Sequence, residues 1–398
     1  MHVARTAVTS VASVRNYQLA KSAVSITHST SEFAATSKNT TKKGTQKMAG
    51  NIHIVVGGQY GSEAKGHVAA QIHTLHDIRY AVRVGGPNAG HSAVDDQGRV
   101  WALRTIPVAA VVDPECQLVI AAGSEIDLSV LEHEITMLED AGFEVRKRLH
   151  VDGQATMLTQ DHIDGEATAS LQEKFGSTAK GIGAARADRL MRKALLADQV
   201  VGDDLIHPNT TAMLQAEHED GSNILIEGTQ GYALGLHAGR YPYCTSNDCA
   251  AVHFLAQTGI QPHNLTHNWV VFRTFPIRVA GNSGPMFGET DWETLAAQTG
   301  GYIQPERTTV TKKIRRVAQW DDMLADEAII ANGGRNYPRL HPVLTFVDYL
   351  DPALAGATDL DRLRDSVAWS DIQGYERAMG VQFAAFTTSN STIIWRPR

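Results

Sequence analysis

The stretch Ile54–Val68 reads IVVGGQYGSEAKGHV, a β-branched run that breaks into a loop with four glycines, a lone lysine and a serine at position 62. A parallel strand that ends in a glycine turn before a helix aims backbone N–H groups and the positive helix terminus at one point, where an anion is favoured. Lys65 adds a mobile positive charge suited to a phosphate. Because the lysine lies between Ala64 and Gly66, the loop is neither a regular Walker A sequence nor a G-x-G-x-x-G dinucleotide turn.

Outward from this loop, the chain after Gly50 alternates short β-branched runs with amphipathic stretches. The alternation predicts an α/β fold: a mainly parallel central sheet with helices on both faces. Predicted strands are IHIVVGG, YAVRVGG, QLVIAA, NILIEGTQG, NWVVFRTFPIRV, AIIANG and VLTFVDYL. Predicted helices cover Leu128–Ala141, Ala185–Leu196 and the segment DHIDGEATASLQEKF. No repeat or long linker interrupts residues 51–398, which read as one catalytic domain. Residues 1–50 differ, with seven Lys or Arg, abundant Ser, Thr and Ala, and a single acid, Glu32. Their composition is that of an organellar targeting segment; the preferred alternative is a disordered extension, or an extended reading frame, upstream of a start at Met48.

Bulk properties narrow the function. At 398 residues and 43% apolar, the chain buries a full-sized core. A net charge of -7 provides no basic field for a duplex or an anionic membrane, so no nucleic acid or membrane partner is expected. No apolar run approaches the ~20 residues of a membrane span, and a cytoplasmic location is expected. Cys116, Cys244 and Cys249 are too few and too unevenly spaced for a disulfide framework or a four-ligand zinc site, and read as ordinary core or near-core thiols in a reducing compartment.

A second glycine loop, RVGGPNAGHS, leaves a strand some thirty residues on and places Asn88, Gly90 and His91 at a strand end. A single histidine is more often a packing residue, but this one shares its setting with the first loop. Two further loops, FGSTAKGIG and IEGTQG…YPYCTSND, offer Ser177, Thr178, Gln230 and Thr245, hydroxyls and an amide able to grip a monophosphate and ribose. Each alone could be a turn. Together they describe a nucleotide site assembled from several segments.

With these loops in hand, the chain from about Ile52 resembles the adenylosuccinate synthetases, which join aspartate to a purine monophosphate at the expense of a nucleoside triphosphate. The motifs that carry the resemblance are GGQYGSEAKG, GGPNAGHS, GSTAKGIGAA, EGTQGYALGLHAGRYPYCTSND, ERTTVTKKIRRVAQWD and LTFVDYLD, in family order. The resemblance implies a P-loop-like fold, magnesium as cofactor and a homodimer. It implies a donor-nucleotide site at Gly61, Glu63, Ala64, Lys65, Gly66, Asp348 and Thr388, with Lys65 on the triphosphate and Asp348 reading the base. His91 matches the general acid at the 6-oxygen, and Gly90 a glycine whose carbonyl binds magnesium. Ser62, Asn88, Ser177, Thr178, Gln230 and Thr245 fall at the acceptor nucleotide. Arg192, in DRLMRKA, matches an arginine that crosses the dimer interface to the same phosphate. Thr311, Lys313 and Arg315 fall in the aspartate loop, where cations suit two carboxylates. Two departures, Phe346 in place of the family's lysine and a shortened TTSNST at Thr387–Thr392, argue against a guanine-specific donor pocket and for ATP.

Position 62 decides the acceptor. Family members acting on inosinate carry an aspartate there that takes the proton from ring nitrogen 1 and ligates magnesium. Loss of a general base costs about 10²–10⁴ in rate, yet the rest of the machinery is present. A guanine acceptor resolves this, because its 2-amino group adjoins that nitrogen and a short hydroxyl leaves it room. The resemblance is therefore closest to the bacteriophage branch, the 2-amino-2'-deoxyadenylosuccinate synthases, which use dGMP, L-aspartate and ATP and carry serine at this place. It implies that Ser62 is catalytic with His91 and Lys65, and that it takes over the magnesium position beside Gly90; the alternative is a loop-capping hydroxyl. Two rivals stay open: an ordinary synthetase acting on IMP with GTP, and a nucleotide-binding regulator without turnover.

Overall fold

The computed structural model describes residues 48–308 and 312–397. Ten strands form the central sheet: β1 Ile52–Gly57, β2 Ile78–Arg83, β3 Gln117–Ile120, β4 Leu149–Asp152, β5 Ile206–His207, β6 Asn223–Glu227, β7 Leu265–Arg273, β8 Leu340–Thr345, β9 Ala385–Thr387 and β10 Ile393–Trp395. Their order is β10-β9-β8-β7-β1-β6-β2-β3-β4-β5. All neighbours are parallel except the β9–β10 pair.

The buried run IHIVVG forms a central strand because both its faces are covered. Ile52, Ile54 and Val56 enter one apolar cluster with Phe254, Leu324 and Ile372, whereas Val55 enters the other with Val68, Ile72 and Leu131. This two-residue alternation places helices on both faces, as expected. The order also runs outward from β1 in both directions, through β7–β10 on one side and, past β6 inserted next to β1, through β2–β5 on the other. Open α/β sheets bind ligands at such a reversal. The loop after β1 therefore opens where the topology places a site.

Four expected elements differ. AIIANG is not a strand; Ala328–Ala331 end the helix Asp322–Ala331, which Asp321 caps by accepting from the Leu324 N–H at 3.1 Å. Its buried Leu324, Ala325, Ala328 and Ile329 recur at helical spacing, and that pattern outweighs the short apolar run. The segment DHIDGEATASLQEKF splits into Gln160–Thr168 and Leu171–Phe175 at left-handed Ser170, and the helix expected at Ala185–Leu196 spans Ile182–Leu190. NWVVFRTFPIRV likewise divides: β7 ends at Arg273, and Ile277–Arg278 pairs with Arg316–Ala318 in a separate three-stranded antiparallel sheet. The helix Leu128–Asp140 forms as expected, with the Asp127 carboxylate accepting from the Ser129 and Val130 N–H groups. Among the described residues, no helix is long and apolar enough to cross a membrane.

Candidate active site

The loop after β1 holds Gly61 (φ 86°), Ser62 (φ 59°) and Ala64 (φ 63°) in left-handed backbone. That region costs roughly 1–2 kcal/mol for a residue with a side chain, and it persists only where neighbours enforce it. Glu63 is the enforcer. Fully buried, it accepts through Oε1 from the Gln59 and Gly61 N–H groups (3.2 and 2.7 Å) and through Oε2 from Lys65 Nζ (2.7 Å). A Cβ at Gly57 or Gly231 would come within 2.5 Å of this carboxylate, so both positions need glycine. The Glu63 side chain thus braces the loop and holds Lys65 at the first turn of the helix Lys65–His76.

This loop forms one wall of a cleft of about 640 Å³, a volume that suits a nucleotide. Ser62, Ala64, Lys65, Gly66, Gly90 and His91 line it, and Arg315 and Asp348 face it with Tyr302, Phe346 and Tyr349. Thr388, expected at the donor, is buried and donates to the Ala357 carbonyl at 2.7 Å; Thr387, Ser389 and Asn390 reach the cleft in its place. Asp348 Oδ2 accepts from the Tyr302 hydroxyl at 2.7 Å, so one edge of this carboxylate is already engaged.

His91 has one nitrogen held and one free. Nδ1 lies 2.7 Å from Glu227 Oε2 and 2.6 Å from Arg83 Nη1, while Nε2 is buried without a hydrogen-bond partner among the described residues. Burial, reinforced by Arg83 and Lys65, holds the imidazole well below its usual range. Burial also pushes Glu227 up to about 7, against the pull of Arg83 and the Val108 N–H. Proton placement follows from this geometry. An ionised Glu227 that accepts from Nδ1–H would leave Nε2 an acceptor, a tautomer that the Arg83 guanidinium, able only to donate to Nδ1, opposes. A second proton shared between Nδ1 and Glu227 lets Nε2–H donate into the cleft.

Ser62 and Arg315 meet directly. The Ser62 hydroxyl accepts a hydrogen bond from the Arg315 guanidinium, and the Ser62 carbonyl accepts from Arg273 Nη1 at 3.1 Å. Arg273 also pairs with Glu306, which lies beside Arg315, and Trp292 Nε1 donates to the Arg315 carbonyl at 2.6 Å. Arg315 is therefore fixed at the cleft, whereas Lys313 is exposed and Thr311 lies outside the described residues.

A narrow crevice opens beside the cleft, lined by Asn88, Gln230 and Thr245 together with Gly85, Gly86 and Arg186. Ser177 and Thr178 do not line it: Ser177 contacts Glu166 at 3.4 Å, and Thr178 is exposed. Glu166 accepts from the Gly181 and Gly183 N–H groups at the start of the helix Ile182–Leu190, where the resemblance would set a phosphate. Arg192 is also exposed, in left-handed backbone next to exposed Leu190 and Met191.

Sequence reading missed Arg83, Glu227 and Arg273, the charged partners beneath the cleft. A signal was present. Each is a charged residue near the carboxyl end of an otherwise apolar β-branched run: YAVR, NILIE and WVVFR.

The adenylosuccinate synthetase family profile matches residues 54–209 and 204–352. The adenylosuccinate synthetase of Pyrococcus horikoshii is 35% identical over 338 residues, covering 84% of this chain and 95% of that protein. That of Methanococcus aeolicus is 34% identical over 340 residues, covering 84% and 96%. Among solved structures, the cyanophage S-2L succinoaminodeoxyadenylate synthetase bound to dGMP, with dATP as energy donor, superposes with a TM-score of 0.71 at 27% identity, covering 88% of this chain and 96% of that one. The fully ligated adenylosuccinate synthetase of Plasmodium falciparum has a TM-score of 0.74 at 19% identity, covering 87% and 100%, a likeness of fold.

Proposed function

The chain belongs to the adenylosuccinate synthetase family of C–N ligases, and from that membership we propose that it condenses L-aspartate with dGMP, using ATP, to give 2-amino-2'-deoxy-N6-succinyladenylate, ADP and phosphate. In a phage-infected cell the product would feed synthesis of diaminopurine DNA. The observation that carries the reading is the neutral hydroxyl of Ser62, lining the cleft and bonded to Arg315 where inosinate-directed relatives carry a carboxylate. The dGMP bound to the cyanophage enzyme supports it.

The chemistry has two steps. Nitrogen 1 of the guanine loses its proton through the Ser62 hydroxyl to water while the 6-oxygen takes the terminal phosphoryl of ATP. Lys65 and the loop amides neutralise the charge that develops. The amine of aspartate, oriented by Arg315, then displaces phosphate at carbon 6 and releases a proton. The His91 Nε2–H, donating to the 6-oxygen, stabilises the charge on that oxygen in the first step and makes the 6-phosphoryl group a better leaving group in the second. Aromatic rings on one wall and the buried His91 on the other restrict water, which would hydrolyse a 6-phosphoryl intermediate.

Magnesium, on which the family generally depends, supplies charge neutralisation to the transferring phosphoryl group when bound. The neutral oxygens here fit an ion held chiefly by substrate phosphates: Gly90 offers a carbonyl at the cleft wall, while the Ser62 hydroxyl is engaged by Arg315. A homodimer in which Arg192 reaches the partner's crevice completes the reading.

The test is mass spectrometry of products from dGMP, GMP and IMP mixed with aspartate, ATP and magnesium. The succinylated 2-amino nucleotide is expected. Exclusive turnover of IMP would favour the second reading, an inosinate-directed synthetase, which the archaeal relatives' names support. In the same assay, Ser62→Asp should lower turnover of dGMP about tenfold or more.

A further inference from the structure

We propose that His73, Asp113 and Cys116 form a binding site for a single thiophilic divalent cation of the Zn²⁺ type, separate from the reaction cleft. A nitrogen of His73, a carboxylate oxygen of Asp113 and the Cys116 sulfur all lie within 4.8 Å of one another. His73 Nδ1 is 4.0 Å from Asp113 Oδ2. Imidazole, carboxylate and thiolate are the donors that zinc takes, and the mixed set excludes magnesium or calcium as the preferred ion.

A second observation stands apart from this clustering. The His73 side chain is 2% exposed, yet neither ring nitrogen has a hydrogen-bond partner among the described residues. A neutral imidazole carries one donor and one acceptor, and burying both unsatisfied is unusual in a native interior. A metal bond removes the orphaned acceptor.

The surroundings partly help and partly oppose. His73 lies in the last turn of the helix Lys65–His76, whose carbonyl end favours a cation. Arg148 opposes one: its guanidinium donates to the Asp113 and Cys116 carbonyls at 2.7 and 2.9 Å. Two anionic ligands are therefore required. Cys116, a buried free thiol, must lose its proton to solvent as the metal–sulfur bond forms, so each ion bound releases one proton. The partly exposed Asp113 carboxylate provides the entry and room for water in the remaining positions. An ion here ties the far end of the phosphate-loop helix to the start of β3.

Titrating the metal-stripped full chain with Co²⁺, in excess Mg²⁺ to fill oxygen-only sites, tests this. One equivalent of Co²⁺ should produce tetrahedral d–d absorption and a thiolate-to-cobalt charge-transfer band, both displaced by Zn²⁺. Cys116→Ser should remove the charge-transfer band, and His73→Gln should weaken Co²⁺ binding at least tenfold; Cys244→Ser should change neither. Absence of the thiolate band from the wild-type chain overturns the site irrespective of how the variants fold. So does its persistence in Cys116→Ser.

Discussion

The two ends of the central sheet both bury polar side chains and satisfy them in opposite ways. At the carboxyl end, Arg83, Glu227 and Arg273 are at most 1% exposed, and each is paired with a charge of opposite sign: Arg83 with Glu227 at 3.5 Å, Arg273 with Glu306. At the amino end, His53, His76, His267 and His341 pack with Trp269, with His53 stacked 4.4 Å from His267. Burial, then the neighbouring histidines, drives His53 down to about 2, so that ring is uncharged. Phosphoryl transfer needs fixed charge, and a charge survives burial only when paired. Packing needs no charge. A titratable side chain that stays neutral is enough.

Replacing His91 with Asn should break the comparison most visibly. Aspartate-dependent phosphate release should fall about 10²- to 10⁴-fold with little change in melting temperature, because the lost nitrogen faces the cleft. A comparable loss of stability would mean that the carboxyl end is mere packing too.

The next effect concerns protons. The Glu227 carboxyl, raised to about 7, gives up its proton as pH climbs through that value, and His91 Nε2 then ceases to donate. Turnover should decline above about pH 7, and Glu227→Gln, whose amide can donate permanently to Nδ1, should abolish that limb at a cost of about tenfold in kcat. An unchanged pH profile would separate Glu227 from His91.

At the amino end the expected effect is on stability alone. His53 binds a proton at about 2 when folded and at 6.5 when unfolded, so the unfolded chain takes up the proton first as pH falls. Stability should therefore drop below pH 6.5, by at most about 1.4 kcal/mol per pH unit from this group. His53→Phe should flatten that acid limb in melting scans and leave kcat untouched. The smallest effect belongs to Tyr302→Phe, which frees an oxygen of Asp348 and should raise the use of GTP relative to ATP by about threefold, roughly the worth of a weak hydrogen bond.

Much of the fold could be read before any coordinates. The alternation of β-branched runs and amphipathic stretches predicts the layered α/β arrangement, and the glycine-rich strand ends locate the cleft, because backbone geometry there is a local demand. Lys65, His91, Arg315 and Asp348 do converge on one cavity. AIIANG failed as a strand because a short apolar run suits either element, and the decision came from a cap at Asp321, well before it in the chain.

What the sequence by itself determined is therefore local: where the chain turns, which faces are apolar and which loops carry ligand chemistry. The tertiary structure alone decided that Glu63 braces its own loop, that Ser177 serves Glu166, that Arg315 meets Ser62 across 253 positions and that Glu227 sets the proton on His91. The physical reason is common to all four. Hydrogen bonds and ion pairs act over a few ångströms, and the distances that decide them exist only after strands remote in sequence lie side by side.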